Sequence, residues 1–360
     1  MKDRKKLFRN LAFFVLLIGV TLYVLLKDQD VFQMWEILKS VKIQYVVIGL
    51  GCILLYVGCE AINIGRTLSS LNEKSTFGRN LKYAFIGFFF SAITPAASGG
   101  QPMQIVYMHK DKISVSNATL TLLINLSSMQ IVTITFALFS LIFNYKYMNS
   151  VLITFFIIGI LLNLSALILL LVGIMSRRAT NAIINFAIKV MKFFRIKNIE
   201  SKKQKIKNEL TKYQANAKYV KKNKWLISRT LFTTFIQFTI YYSVTYWTYR
   251  ALGFNQHNMF EITTMQSVLF ATVSGIPSPG AVGVTEGAFI EIFRNIYPTT
   301  MMSSAVLLNR TISFYFLIFV SCAVTIFAYF KSGGHKEDRE NKENVKVDED
   351  EEPDIYKFDI

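Results

Sequence analysis

Apolar residues in this chain come in long blocks separated by short polar stretches. Eight blocks stand out, at residues 9–26, 43–64, 81–95, 118–143, 151–175, 225–249, 262–276 and 303–330. Several reach the roughly 20 apolar residues a helix needs to cross a bilayer. Blocks 81–95 and 262–276 are shorter, and each runs into a break. The first break reads Ile93-Thr94-Pro95-Ala96-Ala97-Ser98-Gly99-Gly100-Gln101-Pro102. The second reads Gly275-Ile276-Pro277-Ser278-Pro279-Gly280-Ala281-Val282-Gly283-Val284-Thr285-Glu286. Proline removes a backbone donor and glycine permits left-handed turns, so a chain reversal fits such a break.

The two breaks belong to a duplicated unit. Sliding the chain against itself by 184 residues (66 to 250) places Pro95 on Pro279, Gly99 on Gly283 and Arg66 on Arg250. The same shift places Leu68 on Leu252, Leu123 on Leu307 and Asn125 on Asn309. Interrupted apolar segments at matching places in two halves point to a substrate site in membrane transporters.

Charge sets the expected topology. The stretch Ser176 to Lys224 holds 15 Lys/Arg and only Glu200 and Glu209 as acids. The positive-inside rule puts it in the cytoplasm, with the N-terminus (Lys2, Arg4, Lys5, Lys6, Arg9) and the stretch Arg66 to Lys82. Three apolar blocks lie between Lys74 and Arg177. Three full crossings would put the basic loop outside, so one block enters and returns on the same side. Block 81–95 returns through Met103 to Lys112, and block 262–276 turns at Pro277 to Gly283 and returns through Phe289 to Ile296. Backbone reversal at membrane depth is tolerated only where protein or a polar cavity surrounds it.

The expected fold is an all-α polytopic bundle of six full spans and two re-entrant hairpins, arranged as an inverted repeat. Repeat one covers about 7–143 and repeat two about 151–331, within one membrane domain, 1–331. Eight plain helices with two proline kinks are the alternative. Block 9–26 ends at Leu25-Leu26-Lys27-Asp28 without a small-residue cleavage site and reads as a retained helix. Asn181 to Phe194 reads as an interfacial helix. Residues 332–360 form an acidic tail expected to be disordered and cytoplasmic.

The chain carries a formal net charge of +17. From Lys336 onward there are 11 Asp/Glu and 5 Lys/Arg, so the rest is more basic still. Because the excess lies in loops beside apolar blocks, it points to anionic lipid headgroups rather than nucleic acid. The three cysteines, Cys52, Cys59 and Cys322, show neither a disulfide pattern nor a metal spacing. His109, His257 and His335 are scattered, so no metal and no cofactor is expected, and no nucleophile triad, phosphate-binding loop or energy-coupling motif is visible.

Polar residues inside apolar blocks carry the candidate chemistry. Glu60, Glu286 and Glu291 lie within or beside such blocks. A charge near the bilayer centre costs at least a few kcal/mol unless it faces a cavity or a partner. Glu286 can pair with a basic side chain or a lipid amine, or cap the N-terminus of the returning arm. Arg66 and Arg250 end their helices on opposite faces, where each can hold a lipid phosphate or simply snorkel. Arg310 lies deeper in its block. Asn125 and Asn309 can line a cavity opposite each hairpin. Gly99, Gly100, Gly280 and Gly283 would let a phosphate approach free backbone N–H groups.

These residues resemble a known family. Pro95-x3-Gly99-Gly100-Gln101-Pro102 together with Pro277-x-Pro279-Gly280-x2-Gly283-x2-Glu286 is similar to the paired signatures of the lysylphosphatidylglycerol synthase transmembrane-region family, the flippase-like integral membrane proteins. Arg66 and Arg310 also look like family positions, and the resemblance covers about residues 7–331. It implies movement of an anionic or aminoacylated phospholipid, or another lipid-linked headgroup, between leaflets of the cytoplasmic membrane. Larger members add a soluble domain that transfers an aminoacyl group from tRNA to phosphatidylglycerol. About 30 residues follow the last block here, so the resemblance implies translocation without synthesis. The alternatives are a phosphatidylglycerol lysyltransferase, a membrane partner of a separate lipid-modifying enzyme, and a small-solute channel. The family's first motif usually has a Glu after the glycines and an Arg three residues later. Gln101 and Gln104 stand there in this chain, which puts the substrate in question.

Overall fold

The computed structural model describes residues 36, 39–94, 97–145, 148–176, 199–276, 281 and 283–333. Every regular element among them is helical. In chain order these are α1 (Ile43–Ser70), α2 (Phe77–Ala92), α3 (Gly100–Lys110), α4 (Val115–Asn144), α5 (Ser150–Met175) and α6 (Ile199–Lys222). They continue as α7 (Lys224–Ala251), α8 (Met259–Val273), α9 (Val284–Phe293), α10 (Thr299–Arg310) and α11 (Phe316–Gly333). A π-helical turn, Thr311–Tyr315, joins α10 to α11. Block 9–26, the stretch 181–194, the tail beyond Gly333, and Pro95, Pro277, Pro279 and Gly280 lie outside the described residues.

Four described helices are long and apolar enough to cross a membrane: α1, α4, α5 and the continuous run Thr299–Lys331. Block 225–249 forms α7, which has the length, at 28 residues, but is not one of them. Its sequence is rich in Thr and Tyr, and it buries Thr230, Thr234, Gln237, Thr245 and Thr248 inside the bundle. Its polarity therefore serves helix contacts rather than lipid. At the periphery, α5 buries only Leu152, Phe156, Gly159 and Asn163, one narrow stripe at helical spacing.

The breaks produce hairpins. At 1.5 Å per residue, α2 spans about 24 Å and α3 about 16 Å, both short of the roughly 30 Å bilayer core. The arms of the first hairpin pack closely because of Gly100, where a Cβ would lie 2.0 Å from Ser91 Oγ and 2.7 Å from the Gly87 carbonyl. In the second hairpin, α8 buries 11 of its 15 residues, Ile262 through Leu269 and Ala271 through Val273. A short helix buried on nearly every side is enclosed by protein, as a break at membrane depth requires. Side chains start these helices. Ser114, Asn149, Asn223 and Asn258 accept N–H bonds from Asn117, Leu152, Leu226 and Glu261.

The 184-residue shift carries the observed elements onto one another. It takes Gly100, the first residue of α3, to Val284, the first of α9. It takes Val115, the first of α4, to Thr299, the first of α10. Packing follows the same exchange: α2 packs on α11, and α8 packs on α4. The related helices α1 and α7 are the most extensively paired, and they run antiparallel. The Lys42 N–H at the start of α1 donates to the Ala251 carbonyl at the end of α7 (2.9 Å). Near the other end, Asn63 donates to Thr234 at 2.9 Å. Interhelical hydrogen bonds of this kind contribute about 0.6 kcal/mol each in a membrane, so close packing supplies much of the rest.

The bundle has two unlike ends. Around the end of α1 and the start of α7 lie Lys74, Arg79, Lys82, Lys110, Lys112, Arg229 and Lys331, and the described part of α6 adds Lys212, Lys218, Lys221 and Lys222. This basic end is tied together by carboxylates. Glu73 accepts from the Ser114 N–H, the Ser114 hydroxyl and Asn117, while Glu209 of α6 accepts from the Ser116 N–H. Asp111 accepts from Lys82 and Tyr83, both at 2.5 Å. Burial pushes the Asp111 carboxyl up, but these two hydrogen bonds and the charge of Lys82 outweigh it and hold it below the usual range.

Candidate functional site

The second hairpin places a buried ion pair at the start of its returning arm. Gly283 adopts φ +81° and ends the turn. The helix α9 then begins, with Glu286 in its first turn. Glu286 Oε2 accepts the Gly283 N–H at 2.6 Å, and Oε1 accepts from Arg310 Nε at 2.8 Å. The carboxylate thus both caps the helix and pairs with a cation, combining the two roles expected of it. Glu286 is 4% exposed and Arg310 6%. Two charges removed from water need good geometry and further hydrogen bonds to offset desolvation, and both are present here.

Arg310 is the last residue before the π turn, a feature frequent at functional sites. Its guanidinium lies 4.3 Å from the Phe314 ring centroid. Phe314 in turn meets Phe88 of α2, and with Ile318 it packs against Phe89, Ala92 and Ile93, where the first hairpin turns. The ion pair of the second hairpin is therefore one aromatic ring away from the tip of the first.

Both tips hold an alanine in the left-handed region. Ala97 has φ 54° and Ala281 φ 51°. These positions are related by the 184-residue shift, and at both the residue takes a conformation that costs a non-glycine residue about 1–2 kcal/mol. Such conformations cluster at ligand clamps and switch regions. Neither alanine was singled out from the sequence, although their identity under the shift was a usable signal.

The other candidates divide. Asn309 Oδ1 accepts from Thr245 at 3.1 Å and Thr248 at 3.3 Å, and Thr245 also donates to Gln266 at 2.9 Å. Its repeat partner Asn125 is buried, with no partner for Oδ1. The shift explains the difference: the places of Thr245 and Thr248 are taken by Ala61 and Ile64. Arg66 donates to the Arg229 carbonyl (2.7 Å), Thr233 (2.9 Å) and Asn63 (2.9 Å), and Arg250 donates to Tyr45 (3.1 Å) and Tyr246 (3.2 Å). Each arginine cross-links α1 to α7, at opposite ends of the pair. The Gly99 N–H, expected to face a phosphate, is taken by the Thr94 hydroxyl at 2.9 Å. Gly100 is buried between the arms, Gln101 is half-buried and Pro102 exposed. Gln104 is buried and donates to the Tyr83 carbonyl at 3.1 Å and to Glu60 at 3.4 Å. Glu60 thus faces a neutral amide. Glu291 lies at the less basic end, bonded by Asn149 and Arg294. No group of three or more His, Cys, Asp or Glu placed to hold a metal occurs among the described residues.

The sequence matches the lysylphosphatidylglycerol synthase TM region over residues 11–321. The chain belongs to that family. The match spans both breaks, both members of the ion pair and all four long apolar helices except the last turns of α11. No curated protein matches the sequence. Family membership, four helices able to span and the buried hairpin arms agree on a multi-pass membrane protein.

Proposed function

We propose that this chain moves an anionic or aminoacylated phospholipid, or a lipid-linked headgroup, between the leaflets of the cytoplasmic membrane. The observation that carries this reading is the Glu286–Arg310 pair, buried at the N-terminus of a half-length helix and one ring from the opposing hairpin tip. A headgroup with phosphate and ammonium offers a partner to each member of the pair when it opens. The exchange leaves neither charge stranded in an apolar site, which limits the barrier. The acyl chains stay in the bilayer throughout.

The reading takes the architecture as six spans and two re-entrant hairpins in an inverted repeat. Antiparallel α1 and α7 and the shared 184-residue register support it. The basic end is placed in the cytoplasm by the positive-inside rule, with both termini there. Anionic membrane lipids are the partners, and Gln101, Asn125, Asn309 and the tip glycines remain candidate contacts.

The test is a leaflet-exposure assay on purified protein in liposomes. It uses fluorescent phosphatidylglycerol, its lysyl derivative and a polyprenyl phosphate, with Glu286→Gln and Arg310→Ala beside wild type. Headgroup-selective movement, lost in both variants, is expected. No movement of any of the three lipids, with or without a proton gradient, would overturn the reading.

A further inference from the structure

We propose that the groove between α2 and α11 at the basic end binds the anionic headgroup of a lipid in the leaflet at that end. The inference rests on the lipid-transport reading and names where the lipid is first held. The groove encloses about 660 Å³. Arg79, Lys82, Lys110 and Lys331 line it, against Asp111 as the one carboxylate among the described residues. That carboxylate already accepts from Lys82 and Tyr83. Arg79 makes no salt bridge among the described residues, although its charge also acts on Asp111, and Lys331 lies 6.0 Å from the Phe327 ring centroid. Leu81, Phe85, Val324 and Phe327 form an apolar wall beside the cations. Phe327 is 68% exposed, so this wall continues onto the outer surface of the bundle, where an acyl chain can lie. Cations beside an open apolar wall match the two halves of an anionic lipid.

The repeat supplies an internal control. The shift takes Leu81 to Met265 and relates Ala328 to Asn144, and these residues line the equivalent groove between α8 and α4. That groove is filled by Met148 and Leu152 at the entry to α5, and only about 10 Å³ remains. Its counterparts of Arg79 and Lys82 are the neutral Thr263 and Gln266, and the one retained cation, Arg294 in place of Lys110, is paired with Glu291. One repeat has thus closed and neutralised the groove, and the other keeps it open and cationic. The chain's own apolar block 9–26 is the competing occupant, as the counterpart of α5. It follows Lys2, Arg4, Lys5, Lys6 and Arg9, and would bring like charge to a cationic wall. Charge complementarity therefore favours the lipid.

Native mass spectrometry of the full chain in detergent, titrated with phosphatidylglycerol or phosphatidylcholine, tests this. Arg79→Gln with Lys331→Gln should weaken phosphatidylglycerol binding by about tenfold or more. Lys222→Gln with Lys224→Gln, which removes the same charge at the same end, should change it by less than about twofold. Equal losses in the two double variants, or equal binding of the two lipids by wild type, would overturn the site. A photo-crosslinking residue in place of Phe327 should capture lipid. Capture of residues 1–35 of the same chain would overturn it too. Binding is read without transport, so the two readings fail separately. Groove binding in a chain that moves no lipid sinks only the transport reading. Unchanged phosphatidylglycerol binding by the Arg79/Lys331 variant sinks only the groove.

Discussion

The Glu286–Arg310 pair makes a quantitative prediction about stability. With charge centres about 4 Å apart, the attraction is about 4 kcal/mol at an effective dielectric of about 20. Removing each ion from water costs several kcal/mol, so the pair as a whole is close to break-even. Loss of one member leaves the other uncompensated, which costs about 3–5 kcal/mol. Glu286→Gln keeps an oxygen for the Gly283 N–H, so its cost reports chiefly the loss of the carboxylate charge beside Arg310. Arg310→Met keeps most of the side-chain volume against Phe314. Each single change should lower unfolding stability by about 3–5 kcal/mol, and the double change should recover at least about half of the summed loss. The assay is equilibrium unfolding in bicelles by steric trapping, run as a double-mutant cycle. Additive losses would refute the reasoning, because the two side chains would then act independently.

Three further outcomes follow from the geometry. Ala281→Gly should leave stability unchanged or raise it by about 1 kcal/mol, while Ala281→Val should lower it by about 1–2 kcal/mol, read by thermal unfolding in detergent; equal losses would contradict the left-handed tip. A Cβ at Gly159 would lie 2.4 Å from the Ala271 carbonyl, whereas one at Gly58 meets nothing within 4 Å. Gly159→Ala should therefore cost about 1–3 kcal/mol and Gly58→Ala should be neutral or gain up to about 1 kcal/mol by the same measurement. Because the Asp111 carboxyl is held below its usual value, its contribution is complete at neutral pH and is lost only as pH falls through that lowered value. Hydrogen exchange at Ile113 to Asn117 should accelerate on that acid limb in wild type, and Asp111→Asn should show fast exchange at every pH.

The register of the hairpins was readable because Pro and Gly mark where a helix must stop, and two copies of the mark fixed a shift that the helix starts obey. Other features depended on contacts that no local pattern encodes. Glu286 and Arg310 are 24 residues apart, and the turn at 294–298 between α9 and α10 folds them together. The contacts of Arg66 and Arg250 depend on antiparallel pairing, which sets one beside the Arg229 carbonyl and the other beside the Tyr45 hydroxyl of the neighbouring helix. Helix α6 went unread within the basic loop because lysines dominate it. Its packed stripe, Tyr213, Ala217 and Val220, was present at helical spacing. The inward packing of α7 was equally hidden, since nothing local in block 225–249 shows that its Thr and Gln residues meet neighbouring helices.

The most direct test of the account is exposure of the lysyl derivative of phosphatidylglycerol in liposomes carrying the Glu286→Gln/Arg310→Met double variant, with folding verified by its unfolding transition. The account holds that the charged pair, and not the folded bundle alone, handles the headgroup. It predicts a folded variant whose lipid exposure falls to the rate of protein-free liposomes while wild type stays well above it. A folded double variant that moves the lysyl derivative at the wild-type rate would contradict it.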